Sequence, residues 1–144
     1  MTGYTGPSRS ATTDPGLLCE EEPVAADVLV VDDDVDIRWA AAEVLRAAGY
    51  SVSEAGDGDI AFDLLTRSRY GMVLLDIRLP NRDGVALVEE VGEVPPVVVH
   101  SAYVVGVEQR ARLGARVVGH LQKPVPPQTL VRAVEAVIGT RGQP

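Results

Sequence analysis

The chain has 144 residues, 46% hydrophobic and 24% charged, a length and composition that fit one globular domain and exclude wholesale disorder. Its net charge of −8, from 21 acidic against 13 basic residues, speaks against unaided binding to a nucleic-acid backbone. No run approaches the ~18 apolar residues of a membrane span, no apolar signal core opens the chain, and the lone Cys19 has no internal disulfide partner, so a cytoplasmic protein is expected.

Residues 1–26 are rich in Gly, Pro, Ser and Thr and show no period of 2 or 3.6, which predicts a flexible tail. Four acids (Asp14, Glu20, Glu21, Glu22) against Arg9 give that tail −3 of the −8, leaving residues 27–140 acidic on their own account. Residues 28–31, Val-Leu-Val-Val, form an apolar run of the kind found in strands buried on both faces. Asp34 can cap a helix that carries Ile37, Ala40, Ala41, Val44, Leu45 and Ala48, with Gly49 as its stop. Residues 50–53 predict a weaker strand and 59–67 a second helix; 72–76 is another buried run. A Pro-Asn-Arg-Asp-Gly loop at 80–84 leads to a short helix ending near Val91, and 96–101 is a fourth strand. A helix over 104–113, a strand over 117–121 and an amphipathic helix over 128–138 complete the series, with 141–144 a short terminal tail. Strands alternating with helices predict a doubly wound α/β domain with five parallel strands and five helices.

Sites in such sheets lie beyond the carboxyl ends of the strands. There the first strand delivers Asp32, Asp33 and Asp34, the third Asp76 and the fourth Ser101, while Lys123 and Pro124 follow the fifth. Clustered carboxylates repel unless a cation joins them. An all-oxygen set favours a hard ion, Mg²⁺ best of all. Carboxylates with a metal, an ammonium and a hydroxyl make a phosphoryl-transfer arrangement. His100 is expected to serve packing, and Trp39 to lie on the surface of the first helix or pack in the core. Gly56-x-Gly58-x-x-Ala61 mimics a dinucleotide fingerprint, but Asp57 and Asp59 would confront a pyrophosphate there.

In order and spacing, VLVVDDDVDIR, EAGDGDIAFDLL, MVLLDIRLPNRDG, VVVHSA and LQKP make the chain resemble the receiver domain of bacterial two-component response regulators, across nearly all of 27–139. The resemblance implies the flavodoxin-like strand order 2-1-3-4-5. It also implies Asp76 as phosphoacceptor for a histidine kinase or histidine phosphotransfer protein. Mg²⁺ would be held by Asp32, Asp33, Asp76 and the main-chain carbonyl of Arg78. Lys123, often joined to Pro124 by a cis bond in the family, would pair with the phosphoryl group, and the Ser101 hydroxyl would swing toward it. The face of helix four, strand five and helix five would then change, offering a surface to a downstream protein or a second copy.

The chain departs from the family where an aromatic switch residue normally precedes the lysine by three positions: it has His120, with Tyr103 a candidate to share the role. Gly114 to Lys123 is longer than usual and residues 84–95 are shorter. Arg78 and Tyr103 hold positions that in the family shield the phosphoryl group from water, implying slow loss of phosphate. Two other readings of the residues stay open at this point: an interaction module of the same fold that works without phosphorylation, and a small aspartyl phosphatase built on Asp32 and Asp34.

Overall fold

A computed structural model describes residues 24–140; residues 1–23 of the tail expected at 1–26, with Cys19 and the Glu20–Glu22 acids, and the tail expected at 141–144 lie outside the described residues. The elements alternate as β1 (Val24–Val31), α1 (Val35–Ala47), β2 (Val52–Ala55), α2 (Gly58–Arg67), β3 (Arg69–Leu75), α3 (Gly84–Val91), β4 (Val97–Ser101), α4 (Val107–Leu113), β5 (Val117–Gln122) and α5 (Pro127–Ile138). A single 3-10 turn, Gly114–Arg116, joins α4 to β5. All strand pairs are parallel, in the order β2-β1-β3-β4-β5.

The apolar runs are continuous because the sheet is covered on both sides. Leu29, Val31, Val73, Leu75, Val97 and Val99 point one way, into a core shared with Ala61 and Leu65 of α2, Val85, Leu87 and Val88 of α3, and Leu113 of α4. Val28, Val30, Met72, Leu74 and Val98 point the other way, onto Ala41 and Leu45 of α1 and Leu130 and Val134 of α5. Period-2 alternation thus sends neighbouring aliphatic residues into two different cores. Only β5, at the sheet edge, alternates half-buried and exposed residues.

Several boundaries differ from expectation. β1 starts at Val24, so the last three residues of the predicted tail join the strand, with Val24 opposite Arg69, Ala26 opposite Tyr70 and a shift of register at Ala25 between them. β2 sits two residues later than predicted. Tyr50 belongs to the turn that closes α1, its N–H donating to the Leu45 carbonyl at 3.1 Å and its hydroxyl to the Gly139 carbonyl at 2.7 Å. α4 begins at Val107 rather than at residue 104, because the Gly106 N–H is taken by the Gln109 side chain and the Tyr103 N–H by the Ser101 hydroxyl. Asp34 caps α1 as expected, accepting from the N–H groups of Asp36 and Ile37 at 3.0 and 3.1 Å, and Gly49 follows with φ +100°. Trp39 lies on the surface of α1, 60% exposed, the first of the two places expected for it.

Candidate functional site: an acidic rim at the strand ends

The sheet brings β1 and β3 together in register, Val31 opposite Leu75, so the residue that follows each strand lands on the same rim. Asp32 is held by its N–H donating to the Ala55 carbonyl at 3.1 Å, and Asp76 by its N–H donating to the Val31 carbonyl at 3.0 Å. Both carboxylates are buried while their neighbour Asp33 is exposed. Lys123 reaches the same point from the end of β5. Its ammonium donates to Asp32 Oδ2 at 2.6 Å and to Asp76 Oδ2 at 3.0 Å, one cation placed between two buried anions.

The remaining carboxylate oxygens are also engaged. Asp32 Oδ1 accepts from the Asp34 N–H at 3.0 Å, and Asp76 Oδ1 from the Arg78 N–H at 3.1 Å. Burial pushes the Asp32 carboxyl above its ordinary range, with the Lys123 hydrogen bond opposing. Burial pulls the Lys123 ammonium down, but the hydrogen bonds to Asp32 and Asp76 outweigh it and hold the pKa above its ordinary value. Lys123 therefore stays charged because the carboxylates need it.

Oxygen atoms of Asp32, Asp33 and Asp76 come within 4.8 Å of one another. Three hard anionic donors with neither His nor Cys among them fit a small divalent cation such as Mg²⁺, which completes its shell with water and carbonyl oxygens.

β4 supplies the hydroxyl. Ser101 is buried, its Oγ accepting from the Tyr103 N–H at 3.2 Å and its carbonyl from the Lys123 N–H at 2.8 Å. One residue thus binds the loop after β4 and the residue after β5, and the Lys123–Pro124 bond is cis. Over this loop Arg78 stacks on the Tyr103 ring, its guanidinium carbon 3.9 Å from the ring centroid, so the residues that follow β3 and β4 touch above the rim. His120 sits on β5 with its side chain exposed, away from this cluster of contacts. Partial burial and the nearby Arg110 charge lower its pKa.

Sequence reasoning passed over Arg38. From the first turns of α1 its Nη1 donates to the Asp32 carbonyl at 2.8 Å and its Nε to Glu54 at 3.2 Å, fixing the β1 end from behind. Its place, four residues after the Asp34 cap and so one turn above it, was the available signal. The glycine fingerprint has a structural cause instead. Asp57 caps α2 with its own carboxylate, accepting from the Ile60 N–H at 2.8 Å, and a Cβ on Gly58 would collide with the Arg82 carbonyl oxygen. The helix start that a pyrophosphate would need is filled.

The model of the response regulator receiver domain family matches residues 28–135. The chain belongs to that family. It is a receiver domain, 34% identical over 138 residues to the transcriptional regulatory protein PdtaR of Mycobacterium tuberculosis, a match covering 93% of this chain and 62% of the relative. The chain thus spans less than two-thirds of that relative's length. Against the sporulation initiation phosphotransferase F of Bacillus subtilis the identity is 32% over 102 residues, covering 67% of this receiver domain and 81% of the relative. In three dimensions it is similar to the chemotaxis protein CheY4 of Vibrio cholerae, with a TM-score of 0.69, 29% identity, and coverage of 78% of this chain and 98% of that one. The expected five-stranded, flavodoxin-like order 2-1-3-4-5 is the order observed.

Proposed function

We propose that this receiver domain works as a phospho-accepting switch in two-component signalling, with Asp76 as the acceptor. The observation that carries the reading is the Lys123 ammonium bonded to both buried carboxylates, Asp32 and Asp76, with a third carboxylate beside them. An Asp76 oxygen attacks the phosphorus of a phosphohistidine on a histidine kinase or phosphotransfer protein. The P–O bond forms as the P–N bond breaks, the imidazole leaves, and Asp76 becomes an acyl phosphate. Asp32, Asp33, Asp76 and the Arg78 main-chain carbonyl would hold Mg²⁺, which when bound neutralises phosphoryl oxygens. Lys123 supplies the second cation: it exchanges its bond to Asp76 for one to the new phosphoryl group.

Phosphorylation adds about −1.5 to −2 charge and strong acceptors at a rim whose carboxylates Lys123 offsets only in part. Ser101 gives up its contact with the Tyr103 N–H to donate to a phosphoryl oxygen, and the loop that holds Tyr103 follows. The readout is the face of α4, β5 and α5, where Val104, Val107 and Val118 are exposed; it would meet a downstream protein or a second copy of the chain. His120 on β5 shares that face and, with Tyr103, is the candidate switch residue. The arrangement serves signalling rather than turnover of a separate substrate. A cytoplasmic place, no membrane partner and no direct contact with nucleic acid are part of the same reading; no described helix is long and apolar enough to cross a membrane. The likeness to a relative named as a phosphotransferase supports the reading.

Incubation with acetyl phosphate and Mg²⁺ tests it. Intact mass should rise by one phosphoryl group, with no rise in Asp76→Asn. An unchanged mass in the wild-type chain refutes the acceptor role.

A further inference from the structure

On the α1 and α5 side of the sheet, next to the acidic rim, lies a cavity of about 470 Å³. Its walls are Ile37, Ala40, Ala41 and Val44 of α1, and Val125 and Leu130 from the start of α5 and the loop before it. Lys123 and His100 also line it, beside small apolar residues. The volume falls in the range of sites that hold small organic molecules.

His100 is the feature that does not belong to a simple packing gap. β4 sends Val97, Val99 and Ser101 to the opposite face and Val98 and His100 to this one, so the imidazole faces the cavity wall formed by α1. It is 5% exposed and makes no hydrogen bond to any described residue. Burial, reinforced by the charge of Lys123, lowers its pKa to about 4 and keeps the ring neutral, with one nitrogen that donates and one that accepts. A buried polar group without a partner is costly unless something supplies that partner. The only charged side chain in the wall, Lys123, is already bonded to Asp32 and Asp76, so the cavity offers no free charge to an ionic ligand.

We propose that this cavity is a binding site for an uncharged, largely apolar small molecule that bears one hydroxyl or carbonyl group, received by the His100 imidazole. The assignment is independent of the acceptor role of Asp76, though the two sites share Lys123 as a common wall.

The test uses 2-naphthol, a neutral fused-ring probe with one hydroxyl, titrated into the full chain and followed by amide and methyl NMR shifts, without Mg²⁺ or phosphate donor. Saturable shifts centred on Ile37, Ala41, Val44, His100 and Leu130 are expected. His100→Leu should weaken binding about tenfold through the lost hydrogen bond. Ala40→Phe, a change at an exposed helix position, should weaken it by filling the mouth. Absence of saturable shifts, shifts centred elsewhere, or an affinity unchanged in both variants overturns the proposal. Because no phosphoryl donor is present, such a failure would be distinct from a failure of Asp76 to accept phosphate.

Discussion

Lys123→Met keeps the length and apolar stem of the side chain and removes its ammonium. Asp32, 1% exposed, and Asp76, 7% exposed, then face each other across the rim without the cation that bonds both. Breaking a buried ion pair by deleting one partner costs about 3–5 kcal/mol, and a site at the rim of the sheet belongs near the lower bound. Urea denaturation in EDTA at pH 7 should therefore show a loss of about 3 kcal/mol against the wild-type chain. Two further dependences identify the cause. The deficit should shrink as pH falls, because protonating either carboxyl removes the repulsion. It should also shrink on adding Mg²⁺, which at a hundred times its Kd contributes about 2.7 kcal/mol of linkage to whichever chain binds it better. Stability unchanged in EDTA, or a deficit indifferent to both pH and Mg²⁺, would refute the account of Lys123 as the counter-ion of the rim.

Three other outcomes follow from the geometry. His100 titrates near 4 when folded and near 6.5 when unfolded, so between those values the unfolded chain binds more protons and acidification destabilises the fold. The contribution is present in full above pH 6.5 and its loss approaches about 3 kcal/mol near pH 4; His100→Leu should flatten the pH dependence of stability in that window, and parallel profiles would contradict it. Gly58→Ala pushes a methyl against the Arg82 carbonyl and should cost about 1–3 kcal/mol, read as a lowered Tm. Arg78→Ala removes the group stacked on Tyr103 and should speed loss of phosphate from Asp76, followed as decay of the labelled chain; an unaltered decay would mean the pair does not shield the rim.

The buried strands were legible because a residue covered on both sheet faces must be apolar at every position, as in Val28 to Val31 and Met72 to Leu75. Asp34 and Gly49 were legible because caps have a chemistry of their own. The start of β1 was not, since Val24 to Ala26 sit beside a Pro and acids and owe their conformation to β3, far away in sequence. Nor was the start of α4: Val104 and Val107 fit a helical apolar period, yet they are 74% and 86% exposed, and the loop is set by the Ser101 hydroxyl and the Gly106 turn. At the site, Asp32, Asp33, Asp76, Ser101 and Lys123 could be named from strand ends and family motifs. That one ammonium would bond two of the carboxylates depends on where β5 lies relative to β1 and β3, which no local pattern encodes. Arg38 and the cavity beside His100 escaped for the same reason: each is made by a side chain crossing between elements.

The Ser101 carbonyl accepts from the amide of the same Lys123 whose ammonium holds Asp32 and Asp76. The counter-ion of the rim is therefore mounted just beyond an edge strand that alternates half-buried and exposed residues, while the two buried anions follow strands whose last four residues are all buried. Edges of this kind open locally at lower free energy than the centre of a sheet. A brief fraying of β5 would carry the cation away and leave the carboxylates in place, turning a partly neutralised rim into a more strongly anionic one with the core intact. Amide exchange at Lys123 should then rise and fall with the charge state of Asp32 and Asp76, so that the outermost strand reports on the middle of the sheet.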